Sequence, residues 1–137
     1  MTLSIHPVAL SQAAQTWPLA ESHILEAIPY SNGDYTLEQV KLLVNTGQWL
    51  LLVAADENNQ IQGAATVSFL NYPNDRIAFI TFIGGKLISN QETFTQMCAI
   101  LKANGATKIQ GMARPAIARL WSRYGFEERT TLVEVKL

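Results

Sequence analysis

Apolar residues recur along this chain at two spacings, every second position or every third to fourth, and the switches between them mark its elements. Leu3 to Ala9 reads as a short strand. From Ser11 to Ile28, Trp17, Ala20, Ile24 and Ile28 fall on one helical face; Pro18 interrupts or restarts this helix, and Pro29 with Ser31-Asn32-Gly33-Asp34 ends it. Thr36 and Gln39 have the spacing of a capping box, ahead of an apolar face of Leu37, Val40, Leu43 and Val44 that Gly47 stops. Gln48 to Ala55 and Gln60 to Leu70, joined by Asp56-Glu57-Asn58-Asn59, predict an antiparallel hairpin, and Arg76 to Ile83 extends it to a meander. Ser89 with Glu92 predicts a second capping box, opening a helix with Phe94, Met97, Cys98 and Leu101 inward and Asn104-Gly105 at its end. Ala106 to Met112 is the next strand. Pro115 opens a helix with Ile117, Leu120, Trp121 and Tyr124 on one stripe, Gly125 ends it, and Glu128 to Lys136 is a last strand.

The order β-α-α-β-β-β-α-β-α-β predicts an α/β (α+β) fold: a mixed, mostly antiparallel sheet with helices on both faces. Each β-α-β crossover makes its flanking strands parallel. No repeat or Pro/Gly/Ser-rich linker divides residues 1–137, and 48% apolar residues over that length predict one domain with one core.

Charge adds a direction. The net charge is only −1, which argues against a nucleic-acid ligand. Residues 1–75 carry one cation, Lys41, against seven acids, a net of −6; residues 76–137 carry nine cations against four acids, a net of +5. An anionic ligand is expected on the second half and a cationic one on the first. The charged fraction of 15% is low, and 35 Asn, Gln, Ser and Thr residues supply the polarity, a surface suited to protein contacts and compatible with a protein partner or a homo-oligomer. The longest apolar run, Trp49 to Ala55, is too short to span a bilayer, and no signal segment opens the chain, so a soluble, cytoplasmic protein is expected. One cysteine, Cys98, excludes an internal disulfide and a cysteine-based zinc site, and no metal is expected.

Two local sequences sharpen the element order. Ile61-Gln62-Gly63-Ala64-Ala65 is similar to the third strand of the GNAT superfamily of acetyl-CoA-dependent N-acetyltransferases, and Leu120-Trp121-Ser122-Arg123-Tyr124-Gly125-Phe126 resembles that family's fourth helix with its Gly-Phe exit. The resemblance spans nearly the whole chain. It implies that the strands 76–83 and 106–112 splay apart to admit the pantetheine arm of acetyl-CoA, with Phe82, Ile83 and Gly84 lining the gap. It further implies that the pyrophosphate rests on backbone N–H groups at the start of the third helix, in the stretch Gly84-Gly85-Lys86-Leu87-Ile88-Ser89-Asn90, where donors and dipole favour anions. Arg114, where the family often has asparagine, is a further candidate for phosphate or merely a strand-end cap. The alternative for the glycine pair is an ordinary strand-to-helix turn.

The chain also departs from the family pattern. It lacks the Gln/Arg-x-x-Gly-x-Gly/Ala motif, and Glu92 sits where a pyrophosphate would be expected. The tyrosine that serves the family as acid is replaced by Trp121, whose indole is no usable acid. Tyr124, about 4.5 Å further along the same face, is the candidate catalytic acid, with a core-edge aromatic as the alternative. No general base is evident, and neither His6 nor His23 is placed in the site. Two functions follow: acetyl transfer from acetyl-CoA to an amine, or a catalytically degenerate GNAT fold kept as a structural or binding module, similar to short chains of bacteriophages, some of them part of the phage particle.

Overall fold

The apolar run Leu50–Ala55 pairs on both sides and is covered on both faces, which is why it reads as nearly continuous hydrophobic sequence. In the computed structural model, which describes residues 1–137, five strands stand side by side in chain order: β1 (Ser4–Pro7), β2 (Leu50–Ala55), β3 (Ile61–Asn71), β4 (Arg76–Gly85) and β5 (Lys108–Gly111). All neighbours are antiparallel except β4 and β5, which are parallel and joined by a helix, as the crossover requires. The helices are α1 (Leu10–Ala27), α2 (Leu37–Asn45), α3 (Gln91–Ala103) and α4 (Pro115–Trp121), with short 3-10 turns at Ile28–Tyr30 and Ser122–Tyr124.

Strand alternation sends Leu51, Val53, Ala64 and Phe82 to one face, under α1 and α2, where Trp17, Ala20, Ile24, Val40 and Val44 complete one apolar cluster. Leu52, Ala54, Ala65, Val67, Ala78 and Ile80 go to the other, under α3 and α4, with Met97, Leu101 and Trp121. Each face buries its own layer, so the single core expected from the length is divided by the sheet.

Four expectations are corrected. Helix α1 runs through Pro18 unbroken: Pro18 and Ala14, whose carbonyl loses its usual donor, are both exposed, so water takes the place of the missing N–H. The cap of α3 is Asn90, not Ser89. Its side chain accepts from the Thr93 N–H at 2.9 Å while the Thr93 hydroxyl accepts from the Asn90 N–H at 3.2 Å, a reciprocal box that Ser89 and Glu92 do not form. The inward face of α3 is Thr93, Met97 and Leu101, with Phe94 and Cys98 only partly covered. Finally, Glu128–Lys136 is not a strand. Residues 126–137 hold no regular structure and make no hydrogen bond: alternation alone makes no strand without a ladder, and the outer edge of β5 stays unpaired.

Candidate active site

The two parallel strands stay together for only four residues, from Ile77 opposite Lys108 to Ile80 opposite Gly111. Beyond Ile80, β4 continues to Gly85 with nothing paired on its β5 side. The parting coincides with an irregularity in β4: Ile80 faces Val67 and Phe82 faces Thr66, so Thr81 is an extra residue. Its hydroxyl holds the bulge in place, 2.7 Å from the hydroxyl of fully buried Thr66 and donating to the Thr66 carbonyl at 2.9 Å. Past the bulge, Lys86 donates its N–H to the Gln62 carbonyl at 2.9 Å. Alternate residues of an antiparallel strand turn their backbone groups the same way, so Gly84 and Phe82 face β3 with Lys86, and Ile83 and Gly85 present theirs to the open gap.

The floor of the gap is aromatic. Trp121 is buried, and its ring lies 3.5 Å from where a β-carbon on Gly111 would stand, beside the Ile80 backbone. Tyr124 is turned elsewhere: its ring stacks on Phe94 of α3, centroids 5.1 Å apart, half-buried and with a hydroxyl that makes no hydrogen bond. The position nearest the strand parting is thus held by the indole, and the phenol stands beside the first half of α3.

The turn into α3 offers fewer donors than its backbone count. The N–H groups of Ser89 and Asn90 both donate to the Thr93 hydroxyl, at 3.1 and 3.2 Å, and that of Thr93 to the Asn90 side chain. Leu87, Ile88, Gln91 and Glu92 keep free N–H groups. The glycine pair has a reason of its own. A β-carbon on Gly84 would collide with the backbone carbonyl of His23, and one on Gly85 would stand 2.6 Å from the His23 Nδ1. Gly85 also has φ +65°, in the left-handed region. Helix α1 therefore crosses directly over the end of β4. His23 lies there with Nε2 3.3 Å from the Ile61 carbonyl and a buried Nδ1 without a partner, a placement that no local motif foretold.

Arg114 stands at the same end of the sheet, but its guanidinium lies 4.0 Å over the Tyr30 ring. Two more cations are engaged at the opposite end of the β4–β5 pair, where both strands begin. Lys108 bridges Asp75 at 3.1 Å, and Arg76 binds the Asn71 side chain and the Asn104 carbonyl with its plane over Phe69. Together Lys108 and the Thr107 hydroxyl hold the Asp75 carboxyl below its ordinary value. Lys86 is exposed and unpaired at the loop. Lys102, in the last turn of α3, is about 18 Å of helix away from the loop. The positive surplus of the second half is real but dispersed.

On the α1–α2 side of β4, three aromatic rings that the sequence leaves unconnected meet. Tyr35 packs edge-on to Trp49 at 4.8 Å and to Phe82 at 6.3 Å, and Tyr35 remains partly exposed. Glu26, Asp34 and Glu38 are exposed on the surrounding elements, and Glu21 is half-exposed. No three His, Cys, Asp or Glu side chains gather to hold a metal ion, and no helix is long and apolar enough to cross a membrane.

A five-stranded sheet opening between a parallel fourth and fifth strand, helices on both faces and a bulge at the opening together make the fold of GNAT-type acetyltransferases. An aminoglycoside acetyltransferase from an uncultured soil metagenomic sample superposes with a TM-score of 0.68 at 18% identity, over 100% of this chain and 99% of its own. A second such enzyme from a soil metagenomic sample, in complex with sisomicin, gives 0.67 at 19% identity over 98% and 96%. A predicted acetyltransferase with acetyl-CoA from Clostridium acetobutylicum gives 0.61 at 15% over 98% and 96%. No protein-family model matches the chain, and no curated protein is similar to it in sequence. The resemblance to phage chains finds no support among these neighbours.

Proposed function

We propose that the protein transfers an acetyl group from acetyl-CoA to an amine. The observation that carries this reading is the parting of β4 and β5 after Ile80 and Gly111, which leaves the backbone of Ile83 and Gly85 facing an open gap. Acetyl-CoA supplies an activated thioester: the amine nitrogen bonds to its carbonyl carbon, the carbon–sulfur bond breaks, the thiolate gains a proton and the nitrogen loses one. In this chain the groups at Ile83 and Gly85 pair with the pantetheine amides. The free N–H groups of Ile88, Gln91 and Glu92, with Lys86, meet the pyrophosphate. Tyr124 is the acid for the thiolate, which places the sulfur on the α3 side of the parting, beside Phe94, rather than over Trp121. The acceptor enters from the α1–α2 side, against Tyr35, Trp49 and Phe82, and the surrounding acids favour a polycationic amine, the class to which the sisomicin bound by one neighbour belongs.

One observation favours a second reading, a binding module without catalysis: the Asn90–Thr93 box occupies three N–H groups and Glu92 lies in the first turn. Calorimetric titration with acetyl-CoA separates the two. Micromolar binding together with acetylation of a polyamine, abolished by Tyr124→Phe, is expected. No heat at millimolar ligand overturns the enzyme reading, and turnover unchanged by Tyr124→Phe removes that residue from the mechanism.

A further inference from the structure

Helix α1 and its 3-10 extension cross the mouth of the β4–β5 parting. At one rim the backbone and ring of His23 press on Gly84 and Gly85, which lie past Ile80 on the unpaired stretch of β4. At the other rim Tyr30 lies under the Arg114 guanidinium at 4.0 Å, and Asn32 donates from its side chain to the Met112 Sδ at 3.3 Å, just past Gly111. From His23 to Ala27 at about 1.5 Å per residue, and on to Tyr30 at about 2.0 Å, the crossing measures about 12 Å. Two paired strands lie about 4.8 Å apart, so this span leaves room for one extended chain between β4 and the residues after β5.

The contact at the second rim has free capacity around it. Arg114 is exposed and has no carboxylate partner, since the chain's one ion pair joins Lys108 to Asp75. Tyr30 is 65% exposed, and its ring carries only the guanidinium. Glu26 precedes Tyr30 by one helical turn and Asp34 follows it closely, both exposed and unpaired. An open aromatic face flanked by acids suits an alkylammonium group, and the chain's own arginine fills it.

We propose that the Tyr30 ring is a second recognition site for the acceptor, taking a protonated amine about 10 Å from the nitrogen that is acetylated, the length of the extended residues between Gly111 and Arg114. Arg114 occupies the ring as a stand-in while no acceptor is bound. The acceptor class narrows to diamines and larger polyamines whose charges stand that far apart. Which nitrogen reacts rests on the acetyltransferase reading; that the ring takes a cation does not. An exposed contact of this kind is worth about two- to fivefold in affinity, so an incoming ammonium group can displace the guanidinium.

Octane-1,8-diamine, with nitrogens about 11 Å apart when extended, and butane-1,4-diamine, with about 6 Å, carry the same charge and differ in reach. Calorimetry on the full chain, with and without coenzyme A, measures both affinities in the absence of turnover. Arg114→Gln is expected to raise the ratio of affinities, long diamine over short, about two- to fivefold. Adding Tyr30→Ala is expected to cancel that gain, and adding Tyr30→Phe to keep it. An equal gain for both diamines in Arg114→Gln is a general effect of charge and overturns the proposal. A gain that survives Tyr30→Ala, or no binding of either diamine at millimolar concentration, also overturns it. Diamines that bind with the expected pattern but are not acetylated when acetyl-CoA is supplied sink the acetyltransferase reading and leave the Tyr30 site standing.

Discussion

Replacing Gly84 by alanine separates two reasons for the Gly84-Gly85 pair. If glycine is there so that a phosphate can approach the backbone, an added methyl weakens acetyl-CoA binding and leaves stability alone. The structure points the other way. The β-carbon would fall on the backbone carbonyl of His23, and no rotamer change can move a carbonyl out of the way. α1 and β4 must separate by on the order of 1 Å, loosening the packing of Ala20 and Ile24 against Ala64 and Phe82, all of them buried. Overpacking of this kind costs about 1–3 kcal/mol, and the rigid partner puts Gly84→Ala near the top of that range. At about 3–5 °C per kcal/mol for a chain of this size, the melting temperature falls by on the order of 10 °C. Urea unfolding followed by tryptophan fluorescence reads the same loss as a lowered midpoint. His23→Ala removes the ring but not the carbonyl, so it does not rescue the variant. A Gly84→Ala protein within about 0.5 kcal/mol of wild type refutes the packing argument, since that is the range of ordinary surface substitutions.

Two further outcomes are expected from named bonds. Thr81→Val removes the hydroxyl that meets Thr66 at 2.7 and 2.9 Å and strands a buried hydroxyl, costing about 1–3 kcal/mol in urea unfolding, whereas Thr81→Ser keeps both bonds and most of the stability; equal midpoints for the two variants contradict this. The Asp75 carboxyl is held below its ordinary value of 3.8 by its bonds from Lys108 and Thr107 and by the charges of Lys108 and Arg129. A depressed acid stabilises the fold above its unfolded value, and the gain disappears as pH falls through the folded one. The stability difference between wild type and Asp75→Asn should therefore be constant above about pH 5 and close as the pH falls below the unfolded value of 3.8; a gap that persists under acid conditions removes the carboxylate's charge from the explanation.

The periodic parts of the fold were legible because periodicity reports burial. The order of the elements follows from spacing and punctuation alone, down to the Thr36–Gln39 box. Where the sequence reading failed, two adjacent options competed or the decisive partner was remote. Asn90 displaced Ser89 as cap because Thr93 can return the bond with its hydroxyl. Phe94 and Cys98 share the stripe of Met97 and Leu101 but lie at its margin. Gly84 carries no local sign that a helix about 60 residues earlier in the chain will press on it. His23 and the rings of Tyr35, Trp49 and Phe82 come from separate elements and share no motif. The segment 128–136 has every property of a strand except a neighbour within its own chain.

The partners already engaged around the loop decide how a coenzyme would be held. Of the charges that the sequence places in the positive half, Lys108 is joined to Asp75, Arg76 to Asn71 and Asn104, and Arg114 lies over Tyr30. At the loop, the N–H groups of Ser89, Asn90 and Thr93 already have side-chain acceptors, and Glu92 adds a negative charge in the first turn of α3. What remains free and well placed is backbone on β4. Affinity should therefore come from the pantetheine arm rather than from the phosphates. S-acetylpantetheine, which lacks the nucleotide and the pyrophosphate, is expected to bind within about tenfold of acetyl-CoA, a difference of about 1.4 kcal/mol, whereas a full phosphate cradle would separate them much further. Added salt should change the acetyl-CoA affinity little, because few charges are there to be screened. Glu92→Lys reverses the sign of the one charge in the first turn and should tighten acetyl-CoA about two- to fivefold without affecting S-acetylpantetheine. A hundredfold preference for acetyl-CoA that collapses with salt would mean that Lys86 and the free amides of Ile88, Gln91 and Glu92 suffice, and that the capped donors were never needed.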